Sequence, residues 1–107
     1  MTDHSPPADL EAAYARGLTD RALTGRVYTP APLAAFMAEA ALDAWLGDLA
    51  ALRVLDPACG CGALLVAVAE ALLVRGLPPT VVAERLRGVD VDADAVAIAR
   101  TRLESLL

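Results

Sequence analysis

A chain of 107 residues is long enough for one small domain or part of one, a size at which surface dominates over interior. A hydrophobic fraction of 57% is high for so small a body, so some apolar surface is expected to have an absent partner. The formal net charge of −5 excludes the broad basic face that dominates non-specific nucleic-acid affinity, so any DNA substrate must be held largely by other segments.

In chain order, residues 1–9 are polar and Pro-containing and predict a disordered start without the basic and apolar regions of a signal peptide. Leu10, Tyr14 and Leu18 then share one face of a short helix over residues 10–23, a lead-in segment preceding a main domain over residues 24–107. Thr24 to Pro30 reads as an extended piece with a glycine turn. A helix follows from about Pro32 to Leu46, because proline suits a first helical turn.

Leu52 to Leu55 is short, apolar and partly β-branched and stops at Asp56-Pro57, which predicts the first strand of a parallel sheet. Ala63 to Val74 is an almost continuously apolar helix ended by Gly76, and a shorter helix is expected from Thr80 to Leu86. Gly88 to Asp92 alternates apolar and acidic residues as a strand end does. Asp92 stands at an N-cap position before an amphipathic helix from Ala93 to Leu106, with Val96, Ala99, Leu103 and Leu106 on one stripe. No stretch reaches the roughly 18 uninterrupted apolar residues of a membrane span, so a soluble, cytoplasmic protein is expected.

The residues richest in chemistry run from Val54 to Leu65, where a strand ends in an acid and passes through Gly60-Cys61-Gly62 directly into an apolar helix. Such a turn lets a ligand approach bare backbone at the carboxyl end of a strand. Asp56 favours a ligand carrying an ammonium group, and the helix start supplies backbone N–H donors, so an amino-acid-like ligand fits better than a pyrophosphate. Leu65 occupies the place of the third glycine in the dinucleotide pattern, which argues the same way. A pair of glycines taken alone is simply a loop. Cys59 and Cys61 have no second cysteine pair and only His4 to accompany them, so neither a zinc site nor any other metal site is expected.

Asp90, near the end of the second strand, can accept both hydroxyls of a ribose with its two carboxylate oxygens, and Val91 can lie against an adenine ring. Asp92 is read as a helix cap and Asp94 as a solvated first-turn acid.

The stretch from Asp56 to Gly62, Asp-Pro-Ala-Cys-Gly-Cys-Gly, resembles the Asp-Pro-Ala-Cys-Gly-Ser-Gly signature of N6-adenine DNA methylases, with Cys61 in place of the usual small hydroxyl residue. Gly88-Val89-Asp90-Val91-Asp92 is similar to the acidic stretch of the same family. Gly25-Arg26-Val27-Tyr28-Thr29-Pro30 resembles the Gly-x-aromatic-Thr-Pro element that comes first in its gamma-ordered members. The three elements stand in the family's order, and the resemblance covers about residues 24–105.

It implies an α/β, Rossmann-like class I methyltransferase fold, truncated after the second strand, and S-adenosylmethionine as cofactor. It also implies a cofactor site made of Tyr28, Thr29, Pro30, Asp56, Pro57, Ala58, Cys59, Gly60, Gly62, Asp90 and Val91. The loop would hold the methionine end, with the Thr-Pro element touching it, and Asp90 would hold the ribose. The family's Asn/Asp/Ser-Pro-Pro-aromatic motif, which holds the flipped target base, has no counterpart after Asp90. Ser5-Pro6-Pro7-Ala8 has Ala8 in place of the aromatic residue and stands ahead of every other element. The expectation is therefore the cofactor-binding portion of an adenine-specific DNA methyltransferase of a restriction-modification or phage-defence system, inactive alone, with no catalytic residue of its own and DNA held by absent segments. Its absent partner is then the remaining methyltransferase portion or, through self-association, another copy. A protein or RNA methyltransferase portion and a non-catalytic partner-binding module remain alternatives.

Overall fold

The computed structural model describes residues 29–107. The segments expected over residues 1–9 and 10–23, and the part of the extended piece up to Tyr28, lie outside the described residues. Helix α1 spans Ala31–Ala44 and starts where expected, with proline in its first turn and the Ala34 N–H donating to the Pro30 carbonyl at 2.9 Å. Ala34, Ala38 and Leu42, spaced by four, are its buried face. The helix stops at Ala44 instead of continuing to Leu46. Trp45 is extended, and its indole N–H donates to the Asp48 carbonyl at 3.1 Å, which turns the chain before Gly47.

Asp48 then caps a single 3-10 turn, Leu49–Ala51, by accepting from the Ala50 N–H. Leu52 closes that turn, so strand β1 is confined to Val54–Asp56 and does not begin at Leu52. Helix α2 occupies Ala63–Val74, as its composition predicts. Gly76, at φ +97°, ends it, with the Leu77 N–H returning to the Leu72 carbonyl.

Helix α3 is Pro79–Arg85 and passes without a loop into strand β2, Leu86–Gly88. Leu86 thus belongs to the strand, and the alternating segment Val89 to Asp92 is a connection beyond it. Leu86 adopts extended dihedrals and pairs with Val54 of the distant first strand. Helix α4 covers Ala93–Leu106 and is capped by Asp92, whose carboxylate accepts from the N–H groups of Asp94 and Ala95.

The two strands are parallel, with Val54 opposite Leu86, Leu55 opposite Arg87 and Asp56 opposite Gly88. Helix α2 lies at the centre and packs against α1, α3, α4 and β2. Leu72 and Val82 are completely buried there, joined by Leu65, Ala69 and Leu86, and each buried aliphatic side chain of this size contributes about 1.5–3 kcal/mol. Leu55 and Arg87, paired across the strands, are both exposed, so the sheet has one covered face and one bare face among the described residues.

Arg75, at the end of α2, donates to Glu39 at 2.7 Å and to Asp43 at 2.9 Å in the second half of α1. The end of α2 is thereby tied to the second half of α1.

Candidate functional site

Parallel strands deliver their carboxyl ends to one edge, and here each end carries an acid. Asp56 is the last residue of β1, and Asp90 follows β2 by two residues. The strand pairing continues past both elements as backbone hydrogen bonds. The Val89 N–H donates to the Asp56 carbonyl, and the Cys59 N–H donates to the Val89 carbonyl, both at 2.9 Å. The loop after β1 is thereby laid alongside the loop after β2.

The side chains complete the arrangement. The Gly60 N–H donates to Asp90 Oδ2 at 2.9 Å, and the Asp92 N–H donates to Asp90 Oδ1 at 2.8 Å. Each oxygen of Asp90 thus holds one backbone donor and retains a lone-pair direction for another. Asp56 accepts from the Ala58 N–H with Oδ1 at 3.1 Å, closing an Asx turn at the start of the loop. Among the described residues no hydrogen bond occupies its second oxygen, Oδ2. Pro57 and Ala58 are exposed on the loop's outer side.

Two glycines shape the loop for different reasons. Gly60 has φ +53°, and a side chain there would meet none of the described residues within 4 Å, so among them the requirement is conformational and the space beside it is open. Gly62 has φ +89°, and a Cβ there would stand 2.9 Å from the Ala99 Cβ of α4. It allows the close approach of loop and helix. Among the described residues no side chain caps the first turn of α2, where the backbone donors of a helix start carry partial positive charge.

The two cysteines face inward. Cys59 is buried beside Leu65 and Gly88, and it serves the loop through its backbone, donating to Val89 and accepting from the Gly62 N–H at 2.9 Å. Burial above all, and then the carboxylates of Asp56 and Asp90, raise its thiol pKa, so it is a protonated packing group at neutral pH. Cys61 is likewise buried, against α4. Neither is disulfide-bonded, and among the described residues no cluster of three or more His, Cys, Asp or Glu could hold a metal.

Of the residues singled out in the sequence, Asp56, Pro57, Ala58, Gly60 and Asp90 come together at this edge. Val91 projects from the same connection and is 92% exposed. Thr29 and Pro30 stand at the start of α1, and Tyr28 lies outside the described residues. Sequence reasoning missed Gly88, where a Cβ would stand 2.6 Å from Leu65 Cδ1 and 3.0 Å from the Cys59 Cβ. It placed Ala99 on the apolar stripe of the last helix but not against Gly62, and it missed Arg102, which reaches Cys61 from α4; a small residue facing a glycine across 37 positions leaves no local signature.

A cavity of about 630 Å³ opens between α3, β2 and α4, walled by Ala83, Leu86, Val96 and Leu103 and reaching Cys59 and Gly88 at the base of the loop. Neither Asp56 nor Asp90 lines it. The converging polar groups, not this apolar hollow, mark the candidate site.

The described residues form a small α/β unit of two parallel strands, with Asp56 at the end of the first and Asp90 just beyond the second. Its family is given by comparison: the model of the N-6 DNA methylase family matches residues 12–103, nearly the whole chain, and the chain belongs to that family. By family it is a DNA methyltransferase, with DNA as the substrate. No solved structure matches the chain. Among the described residues no helix is long and apolar enough to cross a membrane.

Proposed function

We propose that this chain is the S-adenosylmethionine-binding portion of an adenine-specific N6 DNA methyltransferase with a Rossmann-like class I fold, residues 24–107 forming the cofactor domain. The observation that carries the reading is the hydrogen bond from the Gly60 N–H to Asp90 Oδ2, which ties the glycine loop of one strand to the acid of the next. The residues fit the cofactor. Gly60 leaves open the space that a Cβ would fill, and the groups around it match both halves of the ligand.

On this reading, Asp56 Oδ2 holds the ammonium of the methionine moiety, and the uncapped start of α2 favours its carboxylate through the helix dipole. The second lone pairs of Asp90 accept the ribose hydroxyls, and Val91 offers an apolar surface to the adenine. Tyr28, Thr29 and Pro30 contribute from the start of α1, while Pro57 and Ala58 line the loop and Cys59 holds its backbone. When bound, S-adenosylmethionine supplies an electrophilic methyl group. The chain's own residues bind and orient it, and the residues that hold the target adenine come from other segments of the enzyme, so the chain by itself binds cofactor without methylating DNA. Restriction-modification or phage defence is the proposed setting, and the cytoplasm the proposed location.

Calorimetric titration of the full chain with S-adenosylmethionine tests this. Micromolar binding, about −8 kcal/mol, that is lost in Asp56→Ala is the expected result. A folded chain that binds no cofactor would overturn the reading and favour a partner-binding module.

A further inference from the structure

The guanidinium of Arg102 reaches the glycine loop from α4. Its Nη1 donates to the Cys61 carbonyl at 3.0 Å and stands 3.9 Å from the Cys61 sulfur, bridging 41 residues of sequence. The carbonyl it holds belongs to the Cys61–Gly62 peptide, whose N–H donates to the Cys59 carbonyl at 2.9 Å. One peptide plane is thus fixed at both ends.

The neighbouring contacts give this consequence. Gly62 adopts φ +89° with its α-carbon pressed toward Ala99, one turn before Arg102 on the same helix. Gly60, two residues earlier, is held at its N–H by Asp90. The loop is therefore held at Gly60 by an acid of the proposed ligand site and at Cys61 by a cation of α4. A hydrogen bond with a charged donor in a partly buried setting is stronger than a neutral one. Removing it frees the peptide to rotate, and with it the backbone that a ligand must find already in place.

We propose that Arg102 is a positioning residue for cofactor binding: it holds the Cys61–Gly62 peptide so that the glycine loop keeps its ligand-ready shape, and it sets cofactor affinity without touching the cofactor. This rests on the S-adenosylmethionine reading of the loop. Both contacts to Cys61 are made by one nitrogen of the guanidinium, so a lysine can replace it in part.

The test compares the full chain with Arg102→Met, which keeps an unbranched apolar stem and removes the donors, and with Arg102→Lys. Two quantities are read: the Kd for S-adenosylmethionine by calorimetry, and the rate at which a maleimide modifies Cys61, located by peptide mapping. The clamp predicts an Arg102→Met protein with native circular dichroism, a Kd raised about tenfold and faster Cys61 labelling. Both changes are largely reversed in Arg102→Lys. Unchanged affinity in Arg102→Met beside a binding parent overturns the proposal, as does an Arg102→Met chain that no longer folds, which would make Arg102 a core residue. If the parent binds no cofactor, the cofactor reading fails and the affinity role falls with it. Labelling then still decides whether Arg102 holds the loop.

Discussion

The backbone N–H of Gly60 and the carboxylate of Asp90 meet at 2.9 Å, joining the loop after the first strand to the connection after the second. The acid proposed to bind ribose is therefore also a structural partner of the loop proposed to bind methionine. Its two roles respond differently to substitution. Asp90→Asn keeps one acceptor, for either the Gly60 or the Asp92 N–H, and turns an amide NH2 toward the other while losing the charge, whereas Asp90→Ala leaves both N–H groups without that partner. Both are expected to weaken S-adenosylmethionine binding by at least about tenfold and to lower stability by about 1–3 kcal/mol, with Asp90→Ala at the upper end. Titration together with urea denaturation reads both. Equal affinity in the parent and Asp90→Asn would remove Asp90 from the ligand site.

The three glycines near the site rank differently under alanine substitution. Gly60→Ala meets only the backbone penalty of a positive φ, about 1–2 kcal/mol. Gly62→Ala adds a Cβ that must displace Ala99, and is expected to cost about 1–3 kcal/mol more. Gly88→Ala has no positive φ but collides with Leu65 and Cys59, so its cost of about 1–3 kcal/mol comes from overpacking alone. Denaturant midpoints should place Gly62→Ala as the least stable. A Leu65→Ala background should relieve Gly88→Ala but not Gly60→Ala.

Asp92 caps α4 through the N–H groups of Asp94 and Ala95, at 3.0 and 3.3 Å. Asp92→Ala is expected to destabilise the chain by about 0.5–2 kcal/mol, and Asp92→Ser to recover most of that loss. Thermal melts followed by circular dichroism measure it, and identical melting of parent and Asp92→Ala would show that the cap contributes nothing.

Cys59 supplies a pH prediction. Its thiol pKa is raised in the folded chain, chiefly by burial, so the folded form retains a proton that the unfolded form gives up as pH rises past about 9. Its contribution to stability is complete below that pH and is lost progressively above it, through the folded pKa. The difference in unfolding free energy between the parent and Cys59→Ala should therefore narrow from pH 8 toward pH 10, about the range where a free thiol titrates. A difference constant across that range would mean that the thiol is not held protonated by the fold.

Much of this was legible in the sequence because its causes are local. The apolar run from Ala63 to Val74, the stop at Gly76 and the cap at Asp92 each depend on neighbours a few residues away, and those elements stand where the pattern places them. The acid-Pro-x-x-Gly-x-Gly order likewise identified the loop, and the family match is consistent with it. Propensity misplaced the strand limits. Leu52 and Val89 look like strand residues, but a 3-10 turn capped by Asp48 claims one and the end of the paired register excludes the other. The inward turn of both cysteines, the collision that forbids a side chain at Gly88, the fit of Gly62 against Ala99 and the reach of Arg102 to Cys61 were decided by tertiary structure alone. Each depends on how closely two distant segments approach, a distance set by packing around α2 and carried by no local pattern of residues.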